Sequence, residues 1–244
     1  ELIGKPFTEM NAYDVRFFLA KEMERGLSDQ SRENQRANLS AFFQWMTNEE
    51  IITKNPIAQI KPIKCHQEVK KAFSDIEIDA LRSACKSLKE RALIEFLLST
   101  GARVSEVAEM KARDVNIETL SVHILHGKGD KERITYTTAV GMKHLLAYIH
   151  SRKETGDALF YSKNHEPIRT SGIRFILNNV AKRAGVSNVH PHRFRRTFAT
   201  NLSKRGMAVQ EIQKLMGHAN INTTLVYIAT DDSMVQASYK KYTA

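Results

Sequence analysis

The chain has 244 residues, 42% hydrophobic and 26% charged, which allows one large domain or two small ones and excludes collagen, a low-complexity polymer and a largely disordered chain. No apolar run approaches the roughly 20 residues that a membrane-spanning helix needs. Lys and Arg number 37 against 27 Asp and Glu, and the charge of +10 with a pI near 9.6 points to a polyanionic partner, nucleic acid before membrane.

The spacing predicts a first helix over 11–26, with Asn11 as N-cap, Asp14 in the first turn and Gly26 at its end. A second is predicted from Ser28 to about Thr47, where Leu39, Phe42, Phe43 and Met46 recur at spacings of three and four and share a face. Arg32 and Arg36 lie on a more polar stretch of that helix, either solvated or facing DNA. Over 54–72 the periodicity stops. Lys54, Lys61, Lys64, Lys70 and Lys71 alternate with Pro56 and Pro62, which reads as an interdomain link able to lie along a phosphate backbone. The expected division is a small helical domain at 1–66, a link at 67–73 and a second domain at 74–244.

Ser74-Asp75-Ile76-Glu77 has the pattern of a capping box and opens the second domain. Helices are predicted near 75–87 and 89–99, the latter broken by Gly101, and a short one over 103–111. Residues 119–125 and Arg133 to Thr138 are rich in β-formers and flank Gly127-Lys128-Gly129-Asp130, so a β-hairpin is predicted there. Further helices are expected over 139–153, 170–184, 192–205, 208–215 and 221–228, with a tail from about 231 to 242. The expected fold class is therefore mainly α (α+β), a small helical domain followed by a larger helical domain with a small antiparallel sheet. Two cysteines, Cys65 and Cys85, exclude a disulfide framework and fit a reducing cytoplasm. The start carries neither an initiator Met nor a signal-peptide pattern, from which a fragment of a longer protein is expected.

The densest chemical signal is Val189 to Gly206, which holds Arg193, Arg195, Arg196, Lys204 and Arg205 and no acid. By itself this is a basic, DNA-facing helix. His192 and Arg195 stand three apart, so on a helix they share a face and can grip one phosphate, the guanidinium with a planar fork of donors and the imidazole with one more. Downstream lie Leu215-Met216-Gly217-His218 and Thr223-Thr224-Leu225-Val226-Tyr227. Upstream, Arg103 precedes Glu106 by one turn, which alone is an ion pair on a helix surface. Lys128 sits at the tip of the predicted hairpin.

Taken together, GARVSE, GKGDKER, the His192/Arg195 pair within HRFRRTFAT, and LMGHANINTTLVY resemble the tyrosine recombinase, or phage integrase, family. The resemblance spans about residues 73–230, and extends more loosely over 8–72, where SAFFQWM followed by KNPI is similar to the family's core-binding domain. It implies that Arg103 and Arg195 hold a scissile phosphate, that Lys128 protonates the leaving 5′-oxygen and that Tyr227 is the nucleophile. His192 would lie near the tyrosine and the phosphate, His218 would hydrogen-bond the phosphate, and Glu106 would support the site. Many members carry a histidine directly after the second arginine, where this chain has Arg196.

The chemistry explains the residue types. Phosphodiester transfer asks a protein chiefly for positioning and for neutralising charge on the equatorial oxygens. Arginine is permanently charged and matches phosphate geometry, so two arginines and two imidazoles can do this without a metal or other cofactor. A phenol titrates near pH 10, and a positively charged site favours its phenolate. Attack through Tyr227 would keep the bond energy in a 3′-phosphotyrosyl link and need no ATP.

The resemblance further implies double-stranded DNA recombination sites as partners and a two-domain clamp around the duplex. Arg32, Arg36, Lys64, Arg193 and Arg196 would be DNA-binding. It implies a homotetramer on two duplexes, joined by exchange of the C-terminal tail from about 230, where Met234, Val235 and Tyr239 supply apolar contacts. An accessory DNA-bending or directionality factor is compatible, no membrane is involved, and the expected location is the prokaryotic cytoplasm, at the nucleoid. The expected role is integration and excision of a mobile element, with Xer-type resolution of chromosome or plasmid dimers as the alternative and a non-catalytic DNA-binding protein behind it. A type IB topoisomerase fits the motif order less well. A zinc site on His190, His192 and His218 lacks a further ligand at recognisable spacing.

Overall fold

The computed structural model describes residues 4–65, 71–125 and 132–218. The chain divides into two compact units, Glu1–Val69 and Lys70–Ala244. In the first unit, α1 (Ala12–Glu24) and α2 (Asp29–Asn48) pack on each other. Asn11 and Asp14 cap α1 reciprocally, the Asn11 side chain accepting from the Asp14 amide at 3.2 Å while Asp14 accepts from the Asn11 amide at 3.0 Å. Val15, Leu19, Phe43, Met46 and Ile57 form the core. Of the four apolar residues expected on one face of α2, Phe43 and Met46 are buried and Leu39 packs against them. Phe42 stays at the rim, its ring 5.1 Å from that of Phe7.

The link expected over 54–72 begins too early. Ile57 is only 1% exposed, and Ile60 packs beside it. The Asn55 side chain accepts from the Ile57 amide at 3.0 Å, and the Ile63 amide donates to Glu33 at 2.7 Å. Burying one isoleucine and satisfying these amides outweighs the lack of periodicity, so the stretch through Ile63 belongs to the first unit.

The second unit is built around α4 (Leu88–Thr100), which is buried along most of its length and packs against α6 (Ala139–Ser151), α7 (Thr170–Ala184) and α8 (Pro191–Lys204). Before it, α3 (Asp75–Ser83) starts with the expected capping box, Ser74 accepting from the Glu77 amide at 3.2 Å and Glu77 from the Ser74 amide at 2.9 Å. The helix expected to run to 87 stops at Ser83, because Ser87 caps α4 through the Glu90 amide at 3.1 Å. The charged Glu95 on α4 is buried and paired with Arg82 at 2.8 Å and Arg91 at 2.9 Å.

After α4 come α5 (Val104–Glu109), a short 3-10 turn at Ala112–Asp114, and the antiparallel pair β1 (Ser121–Ile124) and β2 (Arg133–Tyr136). Their register places Val122 opposite Thr135 and Ile124 opposite Arg133 on one face, and His123 opposite Ile134 on the other. The unit ends, within the described residues, with α9 (Val209–Met216). No helix of the described residues is long and apolar enough to cross a membrane. The helix expected over 221–228 and the tail lie outside the described residues.

Candidate active site

Three local devices aim the site. Gly101 ends α4 in the left-handed region at φ 59°, where a side chain is strained, and a Cβ there would meet the Phe198 ring at 2.4 Å. The chain can therefore turn sharply over α8 and place Arg103 at the N-cap of α5. Pro191 at the first turn of α8 fixes the start of that helix, so that His192 and Arg195 follow on one side. Gly217 ends α9 at φ 63°, and a Cβ there would meet Arg133 Cδ at 2.7 Å.

The three consecutive carbonyls at the end of α9 each face a different arginine. Leu215 accepts from Arg133 Nε at 2.9 Å, Met216 accepts from Arg195 Nη2, and Gly217 accepts from Arg103 Nη2 at 3.3 Å. Helix C-terminal carbonyls lack intrahelical donors and carry the negative end of the dipole, so guanidinium groups satisfy both needs. Arg195 also donates to the Gly101 carbonyl at 2.5 Å, which ties the ends of α4 and α9 together through α8.

Glu106 is the carboxylate at the centre. It accepts from Arg103 Nη1 at 2.7 Å and the Arg103 amide at 2.6 Å, and from Arg133 Nη1 and Nη2 at 2.8 and 2.7 Å. Burial pushes its carboxyl up, but the bonds from Arg133 and the Arg103 amide override this and hold it at about 2. Two guanidinium groups meet this carboxylate, and with Arg195 in the same cluster the cations outnumber it three to one, which leaves the site positive.

His218 follows Gly217, with its Nε2 at 3.0 Å from Arg195 Nη2. Arginine can only donate, so Nε2 is the acceptor and the proton of the neutral ring sits on Nδ1. Burial and then the charges of Arg195, Arg103 and Arg133 push its pKa down to about 4. His192 keeps an exposed edge, and partial burial together with Arg195, Arg196 and Arg103 lowers its pKa below the ordinary value. Both imidazoles are therefore neutral at pH 7.

Of the predicted site residues, the structure brings Arg103, Glu106, Arg195 and His218 into one hydrogen-bonded cluster, with His192 one turn before Arg195 on α8. Lys128 and Tyr227 lie outside the described residues. The expected DNA-facing set fares differently. Arg193 is buried, donates to Glu77 at 2.7 Å and to the Ser187 carbonyl at 2.9 Å, and stacks 4.1 Å from the Phe73 ring centroid. Arg196 is also buried. The basic helix is thus internal over these positions, where Phe194 and Phe198 are buried in two apolar clusters and the arginines beside them are buried too. On α2, Arg36 is held by Glu33 at 2.8 Å and Arg32 by Asp29, which neutralises both locally. Lys64 is exposed. Arg133 was not singled out by sequence. The signal for it was the strand itself, where alternation sets Arg133 and Thr135 against Ile134 and Tyr136 on opposite faces.

Residues 63–234 match the model of the Phage integrase family. The chain belongs to the phage integrase family, the tyrosine recombinases. It is a DNA strand transferase of that class. Among its relatives is the protein named Tyrosine recombinase XerC of Staphylococcus saprophyticus, 32% identical over 254 residues that cover 97% of this chain and 84% of that one. The Tyrosine recombinase XerC of Bacillus subtilis is 30% identical over 250 residues, covering 97% and 82%. The fold is similar to that of the Tn1549 transposon integrase solved in complex with transposon right end DNA, with a TM-score of 0.85, 21% identity, and coverage of 98% and 88%.

Proposed function

We propose that the recombinase cleaves and rejoins double-stranded DNA at specific sites, with Tyr227 as nucleophile. The observation that carries this reading is the cluster in which Arg103 and Arg195 stand with His218 around a site that holds one carboxylate against three guanidiniums. Such a cluster suits a phosphodiester whose equatorial oxygens gain charge in the transition state. Tyr227 Oη forms a bond to phosphorus as the bond to the 5′-oxygen breaks. Lys128 gives the leaving oxygen its proton, and neutral His192 takes the proton of the phenol. The 3′-phosphotyrosyl link is then opened by a second 5′-hydroxyl through the reverse sequence. The site needs no metal ion and no ATP in this reading.

The first unit acts as the core-type DNA-binding domain and Lys70–Ala244 as the catalytic domain. Four protomers work on two duplexes, with the tail after Tyr227 exchanged between them. The role is integration and excision of a mobile element, and relatives named XerC, matched over nearly the whole chain, support Xer-type resolution of chromosome or plasmid dimers as much.

Single-turnover cleavage of a nicked duplex tests the site. Arg103→Ala and Arg195→Ala are each expected to slow cleavage by about 10²–10³-fold, the range seen on losing one preorganised donor to a developing charge, with DNA still bound. Near-normal rates on bound DNA would remove these arginines from the phosphate site.

A further inference from the structure

We infer that Arg133 is a positioning residue of the recombinase, one that fixes where Arg103 and His218 meet the phosphate. The inference rests on the proposed reading of those two residues. One side chain joins three segments. Its fork takes both oxygens of Glu106, at 2.8 and 2.7 Å, and Glu106 in turn holds Arg103 by side chain and amide. Its Nε holds the Leu215 carbonyl at 2.9 Å, three positions before His218. Its aliphatic stem passes under Gly217 so closely that a Cβ there would meet Cδ at 2.7 Å.

The backbone of β2 anchors the other end of the clamp. Arg133 pairs in register with Ile124, and Thr135, on the same face, donates to the Thr100 carbonyl at 3.0 Å. The connection between β1 and β2 is the segment that contains Lys128, five positions before Arg133. Arg133 does not need to touch substrate to matter. Its side chain is 7% exposed and its carboxylate partner 2%, so this pair is shielded from water, where its bonds are stronger. Lysine cannot replace it, because one ammonium cannot span two carboxylate oxygens in plane and the Leu215 carbonyl at once.

The test uses the full chain on a nicked duplex. Arg133→Lys keeps a cation beside Glu106 and so retains the fold, measured by thermal melting, and duplex affinity. Its single-turnover cleavage is expected to fall by about 10²-fold, the scale of a misplacement near 1 Å. Arg133→Gln removes a cation that lowers both the His218 imidazole and the Glu106 carboxyl, so the acid limb of its cleavage profile is expected to move to higher pH. The limb of Arg133→Lys stays in place. A wild-type rate in Arg133→Lys, an unmoved acid limb in Arg133→Gln, or a rate loss matched by lost binding or lost folding would overturn the assignment. Arg195→Ala in the same assay separates the two levels. If it is inactive while Arg133→Lys cleaves normally, only the role of Arg133 fails. If it cleaves as wild type does, the phosphate-site reading fails with it.

Discussion

The same surroundings hold His218 neutral and Glu106 ionised, each in its deprotonated form. Burial and then the guanidiniums of Arg195, Arg103 and Arg133 oppose a positive charge on the imidazole, while on the carboxylate Arg133 and Arg103 outweigh burial and favour the negative charge. His218 Nε2 accepts from Arg195, so that nitrogen becomes a donor only once the ring gains a proton or exchanges tautomers. The same shifts set a pH dependence. His218 titrates at about 4 in the folded protein against an ordinary 6.5, and Glu106 at about 2 against 4.5. Over both windows the unfolded chain binds more protons than the folded one, so stability falls as the pH is lowered from 6.5, first through His218 and then through Glu106. Denaturant melts at neutral pH and near pH 5 check this. Stability is expected to be lower at the acid value, and His218→Gln is expected to reduce the difference. A His218→Gln variant as acid-sensitive as wild type over that interval would contradict the account.

The end of α9 is the element on which the cluster hangs. Its last carbonyls are shared among three arginines from three other elements, and Gly217 makes room for the stem of Arg133. Gly217→Ala adds a Cβ at 2.7 Å from Arg133 Cδ in a left-handed conformation, which costs roughly 1–2 kcal/mol before any clash. It is expected to lower the melting temperature and to slow single-turnover cleavage more than it weakens DNA binding. Unchanged cleavage would show that α9 does not aim His218. Sequence made the elements legible where signals were local: the Ser74/Glu77 box, Gly101, Gly217 and the hairpin formers all stand where the helices and strands begin or end. It also grouped Arg103, Glu106, Arg195 and His218, which the structure brings into one cluster. What it did not show depends on contacts distant in the chain. Arg193 looked like a DNA-facing cation until Glu77 and Phe73, more than a hundred residues away, enclosed it. Arg133 stood in the sequence only at the start of a β-forming segment, because its partners Glu106 and Leu215 come from other elements. Ile57 looked like part of a link because one buried side chain leaves no periodic trace.

At the scale of the whole molecule, a charge of +10 is the surplus of 37 Lys and Arg over 27 Asp and Glu in a chain of two compact units, and several of those cations are taken up by carboxylates. Arg82 and Arg91 serve the buried Glu95, Arg193 serves Glu77, and Arg36 serves Glu33. The net charge therefore reports less about the DNA surface than the placement of individual cations does. The chemistry proposed for the recombinase concentrates at the positive cluster, where Arg195 is both buried and bonded to the ends of α4 and α9. Its central claim is that a tyrosine takes the strand. The direct measurement is covalent trapping: the full chain is incubated with a nicked duplex carrying a candidate crossover site in the presence of EDTA, and run on a denaturing gel beside Tyr227→Phe. A shifted protein–DNA band is expected from wild type and none from Tyr227→Phe, although both bind the duplex. A band that persists in Tyr227→Phe, or none from wild type on DNA shown to be bound, would contradict the account.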